Sequence, residues 1–238
     1  MTLSSLISDF LEYLELEQNA SQLTIRNYDH YLKSFLEFSG DIDPKDIDLK
    51  KVTDYKLHLS KKPLKKITQN YFLIALRSLF RYLAGVGVAI IPAEEIELIK
   101  QEKRPLKILE NADLKQLLEM PDISKKNGLR DKAILLTLLS TGLRVSELTL
   151  LNREDLDTEN QISEDAKLWI NRYLSARLDN FKPLFIRFQG KVDPSDSGEV
   201  MRLTPRSIER IVERYVKTAG IPVKATPQTI RYLHQQSI

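Results

Sequence analysis

Between Leu138 and Leu148 an apolar run breaks at a glycine and carries two ionisable residues three positions apart, Arg144 and Glu147. Burying an arginine is costly unless an anion meets it, and its planar donor fork suits a carboxylate or a phosphate oxygen. Taken alone, Arg144 has two readings: a cap on the carbonyls of the preceding helix, paired with Glu147, or a ligand for an external anion. A second segment, Thr226-Pro227-Gln228-Thr229-Ile230-Arg231, sets an amide and another arginine behind a hydroxyl-proline helix start. Two arginines from separate segments can clamp the non-bridging oxygens of a phosphodiester under attack, with charge-assisted hydrogen bonds and no metal. A helix N-terminus adds amide donors and a positive dipole end, so a phosphate near Gln228 is expected to meet side-chain and backbone donors together.

Thr141-Gly142-Leu143-Arg144-Val145-Ser146-Glu147-Leu148 resembles, almost letter for letter, the first arginine box of the tyrosine recombinases, the phage integrase and Xer family. Thr226 to Arg231 resembles that family's second box, which usually reads Thr-Pro-His-x-Leu-Arg. The resemblance implies site-specific DNA recombination, in which a tyrosine attacks the phosphate and leaves a 3′-phosphotyrosyl enzyme, so that bond energy is conserved without ATP. It implies duplex DNA as partner, a homo-oligomer that works as a tetramer on two DNA sites, and no cofactor. Carried over residue by residue, Arg144 and Arg231 form the phosphate clamp, Gln228 stands where the box-two histidine is expected, and Glu147 orients Arg144.

Three departures from that pattern stand out. Gln228 can donate a hydrogen bond but cannot carry a titratable proton near neutral pH. The segment from Asn152 to Gln161 runs almost directly into Ile162-Ser163-Glu164-Asp165, which leaves no room for the family's lysine-bearing β-hairpin. The letters end seven residues after Arg231, before the family's third box, and none of the nine tyrosines sits in the nucleophile's context. Tyr232 is expected to pack beside the clamp helix, and His234 to lie inert at a frayed end. These departures suggest pieces absent from a longer recombinase, so the 238 residues are expected to hold DNA without cutting it. Two readings from other classes remain open: a DNA-binding regulator of the same descent that lacks the nucleophile, and an all-helical interaction module whose arginines are structural.

Composition bounds the rest. Apolar content of 42% with 29% charged residues is that of a globular chain, and 238 residues allow one or two domains. No stretch is long and apolar enough to span a bilayer, and the N-terminus lacks the basic-then-apolar order of a signal peptide, so cytoplasm, on the nucleoid, is the expected location. Zero cysteines exclude thiolate metal sites, and His30, His58 and His234 are too scattered for a zinc set. A net charge of +3 decides little, whereas its distribution is clustered. Lys61, Lys62, Lys65 and Lys66 surround Pro63, and Arg202, Arg206, Arg210, Arg214 and Lys217 recur at near-helical spacing. Such stripes are either solvated faces or phosphate contacts. Arg206 and Arg210 on one helix, and Lys65, Lys66, Thr68, Asn70 and Arg77 near another, are the expected DNA contacts, with Arg206, Arg210, Asn70 and Arg77 placed to read a major groove.

The positioning elements are mainly α. Leu3, Ile7, Phe10, Leu11 and Leu14 share a helical face, as do Tyr28, Tyr31, Leu32 and Phe35 behind a Ser21 cap. A third helix is expected near Val52–Leu59, and a fourth carries Tyr71, Ala75, Leu79, Phe80 and Leu83 before a stop at Gly85. Residues 1–99 therefore read as a four-helix bundle, which resembles the family's SAM-like core-binding domain in the run Ser21 to Tyr28. Residues 100–107 read as a linker, and 108–238 as a mixed, mostly helical catalytic domain. In it Asn111 is expected to cap a short helix closed by Pro121, and Asp131 to lead into an apolar helix that Gly142 ends. Ser163 opens another helix, Leu184-Phe185-Ile186 forms a short buried strand, and Thr204-Pro205 and Thr226-Pro227 begin two more.

Overall fold

The computed structural model describes residues 2–101, 109–156, 162–223 and 225–236. The chain divides into two compact units, residues 1–104 and 105–238. Most of the expected linker, residues 102–107, lies outside the described residues, as does residue 108.

The first unit is four helices, α1 (Leu3–Leu16), α2 (Gln22–Ser39), α3 (Leu49–Ser60) and α4 (Lys66–Gly85). Local chemistry sets their starts: the Thr2, Ser21 and Asp48 side chains each accept a first-turn N–H. The apolar stripes meet in one core that includes Phe10, Phe35, Tyr55, Leu76 and Phe80. The Ser21 start and the third helix fall where the periodicity places them. Helix α4 ends at Gly85, where the stop is expected, but the left-handed turn is made by Gly87, at φ 81°. That turn lets the Val88 N–H reach back to the Leu83 carbonyl at 2.9 Å.

The second unit holds α5 (Asn111–Glu119), α6 (Lys126–Thr141), α7 (Val145–Leu150), α8 (Glu164–Ser175), α9 (Pro205–Thr218) and α10 (Pro227–Gln236). Helix α6 is central, packing on α5, α8, α9 and α10, and Ala133 to Leu138 are buried on every side of it. Ser163 and Thr204 cap α8 and α9 as their hydroxyls predict. Asn111 does not cap α5; it is the first helical residue, and Glu110 precedes it without a side-chain cap bond. Helix α6 starts at Lys126, so Asp131 lies inside it, fully buried.

Around Leu184–Ile186 the backbone is buried, but among the described residues pairing is limited to two isolated antiparallel bridges, Asn152 with Pro183 and Ile186 with Arg202. The Leu184 N–H donates to Leu151 O and the Leu203 N–H to Phe185 O, and these bonds carry Arg202 and the start of α9 against the core.

Candidate functional site

Arg144 owes its position to the way α6 stops. Gly142 adopts φ 61° and ψ 19°, its N–H donates to Leu138 O, and the Leu143 N–H turns aside to Thr141 Oγ1 at 3.2 Å. The next residue, Arg144, is extended and precedes α7. Glu147, in the first turn of α7, accepts the Arg144 backbone N–H at 2.6 Å and guanidinium Nη1 at 2.9 Å. That backbone bond first, then the guanidinium bond and the charges of Arg144 and Arg231, hold the Glu147 carboxyl below its ordinary range. The expectation of a buried guanidinium fails: the Arg144 side chain is 64% exposed. A glycine turn at the end of an apolar helix carries the chain outward, so the apolar flanks of Arg144 say nothing about its own burial.

Arg231 comes from α10, whose start is doubly tied. Thr226 Oγ1 accepts the Thr229 N–H at 3.3 Å, and Thr229 Oγ1 accepts the Thr226 N–H at 3.2 Å. Ile230, 1% exposed, anchors the helix in the core and leaves Gln228 exposed and Arg231 half-buried beside it. Pro227 has no N–H, and those of Thr229 and Ile230 go to Thr226, so this N-terminus offers fewer free amides than its sequence suggests. The Arg231 Nε is buried without a hydrogen-bond partner.

These pieces border one cleft of about 640 Å³, lined by Leu143, Arg144 and Val145, by Ala225 to Gln228 with Arg231, and by Arg206, Glu209 and Glu213 of α9. Arg144, Arg231 and Gln228 are thus brought together, with Glu147 holding Arg144 from outside the lining. Arg206 joins them, its Nη1 2.8 Å from Glu209 Oε2, a bond that raises the arginine's pKa. Three guanidinium groups and an amide around one solvent-filled cleft can bind an oxyanion, with the flanking carboxylates as internal counter-ions.

The remaining candidates divide. Arg210 is exposed on the next turn of α9. Arg202 is not on that helix at all: it donates to Thr149 O, Leu151 O, Asn152 Oδ1 and Glu199, and so fastens the loop before α9. Arg214 pairs with buried Asp131 at 2.8 Å. The apparent stripe of five cations is therefore partly internal scaffolding. In the first unit Lys65 and Lys66 are exposed at the start of α4, with Thr68 and Arg77 half-buried. Asn70 is buried, and cannot read a base: its amide donates to Ile99 O and accepts the Ile99 N–H, at 2.9 and 2.8 Å.

Tyr232 is half-buried and does not line the cleft. His234, expected inert, has Nδ1 2.9 Å from Leu139 O. The hairpin segment centres on residues 157–161, outside the described residues. Among the described residues no group of His, Asp or Glu could hold a metal ion, and no helix is long and apolar enough to cross a membrane.

Comparison with known proteins follows the same division. Residues 7–86 match the phage integrase N-terminal SAM-like domain, and residues 107–236 match the phage integrase family. Tyrosine recombinase XerC of Thermodesulfovibrio yellowstonii is 31% identical, over 95% of this chain and 80% of its own length. The XerC of Pelotomaculum thermopropionicum is 32% identical, over 95% and 82%. Among solved structures, a lambda integrase dimer bound to a COC′ core site superposes with a TM-score of 0.73 at 14% identity, covering 99% of this chain and 89% of that one.

Proposed function

The chain belongs to the phage integrase family of tyrosine recombinases, and from that premise we propose that it acts in site-specific DNA recombination by clamping one phosphate of duplex DNA between Arg144 and Arg231. The observation that carries this is the shared cleft: two arginines 87 positions apart in sequence, separated by three helices and their connections, open into one space whose lining includes Gln228. In-line displacement at phosphorus builds negative charge on the non-bridging oxygens, and preorganised guanidinium donors stabilise it as it grows. Glu147 holds the Arg144 fork in place, and Gln228 contributes a neutral donor where the family has a histidine. Arg206 and Arg210 on α9, with Lys65 and Lys66 in the first unit, add phosphate contacts that fix the duplex in register. The same reading includes a homo-oligomer, a tetramer when two sites are exchanged, and the dimeric state of the lambda integrase neighbour on its DNA supports the oligomer.

Among the described residues no tyrosine lines the cleft. The 238 residues therefore hold the phosphate without attacking it, since a clamp stabilises charge but supplies no nucleophile. The test is a nicked suicide duplex incubated with this chain and run on a denaturing gel. Binding without a covalent adduct is expected, and an adduct mapped to any tyrosine of the chain would refute this placement of the site. Gln228 is the one observation that favours a DNA-binding regulator instead, because an amide cannot shuttle a proton to the leaving oxygen. If strand exchange fails even when a family nucleophile segment is supplied, the regulator is the better description.

A further inference from the structure

Resting on the phosphate-clamp reading, we propose that His234 is a positioning residue that sets the spacing of the two clamp arginines by capping the helix that leads to Arg144. Helix α6 ends at Thr141, and a continuing helix would bring the Leu143 N–H to the Leu139 carbonyl. That N–H goes to Thr141 Oγ1 instead, leaving the Leu139 carbonyl among the last-turn acceptors a helix cannot satisfy by itself. His234 Nδ1 stands 2.9 Å from it. A carbonyl can only accept, so Nδ1 carries the proton and His234 donates. A histidine donor at a helix C-terminus is favoured both as a cap and by the helix dipole.

The ring also rests on the turn itself. A Cβ added at Gly142 would lie 2.5 Å from His234 Cδ2 and 3.3 Å from Nε2, so the imidazole occupies the space that only a glycine leaves open. Gly142 is two residues before Arg144, and His234 is three after Arg231, one turn along α10. One side chain of the helix that carries Arg231 thereby reaches the segment that delivers Arg144 twice, by a hydrogen bond to Leu139 O and by ring contact at Gly142. Two donors that must meet one phosphate lose most of their joint effect if either backbone moves by about 1 Å.

His234→Phe keeps a ring on Gly142 but removes the donor, and His234→Asn keeps a donor near the place of Nδ1. On the 238-residue chain, His234→Phe is expected to weaken duplex binding about tenfold, and His234→Asn to recover most of it. The Nε–H resonances of Arg144 and Arg231, read without DNA, are expected to shift together in the phenylalanine variant and to return in the asparagine one. Wild-type affinity and unmoved resonances in His234→Phe would overturn the proposal, as would failure of His234→Asn to rescue. Should both variants unfold, the imidazole nitrogen shifts of the unmodified chain decide, with a protonated Nδ1 expected and a bare Nδ1 contradicting. If the unmodified chain ignores DNA, the clamp reading fails, while the DNA-free resonances still judge the role of His234.

Discussion

Glu147 grips Arg144 at two points, and the bond to the backbone N–H is the larger cause of its lowered pKa. A carboxyl whose folded pKa lies below its unfolded value stabilises the fold above the unfolded pKa, and that contribution is lost as pH falls through the folded one. Glu147→Gln is therefore expected to melt below the wild type at pH 7, with the gap closing as pH drops below the ordinary 4.5. Paired thermal melts from pH 7 to pH 3 measure it, and a gap that widens with acid would contradict the assignment. Arg206 calls for a different test. It faces the same cleft as Arg144 and Arg231 and is paired with Glu209, so under the proposed clamp a phosphate oxygen would displace that carboxylate. Arg206→Ala should weaken binding to unrelated duplexes by similar factors, whereas a loss confined to one sequence would show that it reads a base.

Elements were legible in the sequence wherever their determinants are local. Ser21, Ser163, Thr204 and Thr226 each start a helix because a hydroxyl reaches an N–H three residues on, and Gly142 stops α6 because the left-handed turn needs it. The roles that escaped belong to side chains whose partners lie far along the chain. Asn70 meets a backbone 29 residues away, Arg202 one 53 away, Arg214 a carboxylate 83 away and His234 a carbonyl 95 away. A cation at helical spacing looks the same in one dimension whether it faces water or a buried acid.

Asp131 shows what such a partner does between elements. Its Oδ1 accepts Arg130 Nε and Nη2, and its Oδ2 accepts Arg214 Nη2 and the Tyr215 hydroxyl, so α6 is pinned to α9 at a point with no exposure. Burial first, then that carboxylate, push Tyr215 up to about 12, which keeps it a donor. Arg130 is buried too, its third nitrogen donating to Ile186 O. Removing the charge leaves this guanidinium without a counter-ion, so Asp131→Asn should lower unfolding free energy by about 3 kcal/mol. Arg214→Ala, at the exposed side of the same group, should cost no more than about 1 kcal/mol. Urea titration of both variants checks the ordering, and equal losses would mean that the pinning comes from packing alone.

At the scale of the molecule, the two helical units and the two arginine segments that meet at one cleft were readable from periodicity and motif, but net charge was a poor guide. A balance of +3 says nothing of which cations are already committed to carbonyls and carboxylates, as Arg202 and Arg214 are, and which are free to meet a phosphate. Each phosphate neutralised releases counter-ions, giving a log–log dependence of affinity on salt with a slope of about −0.9 per phosphate on duplex DNA. That slope separates a shared clamp from two independent contacts. With Arg144 and Arg231 on one phosphate, either residue alone still neutralises it. Duplex binding measured between about 50 and 200 mM salt for the wild type, Arg144→Ala, Arg231→Ala and the double variant tests the central claim most directly. The single variants should lose affinity while keeping the wild-type slope, and the double variant should fall by about one phosphate, ~0.9. A fall of that size in each single variant and of about twice that, ~1.8, in the double, or a wild-type affinity indifferent to salt, would contradict it.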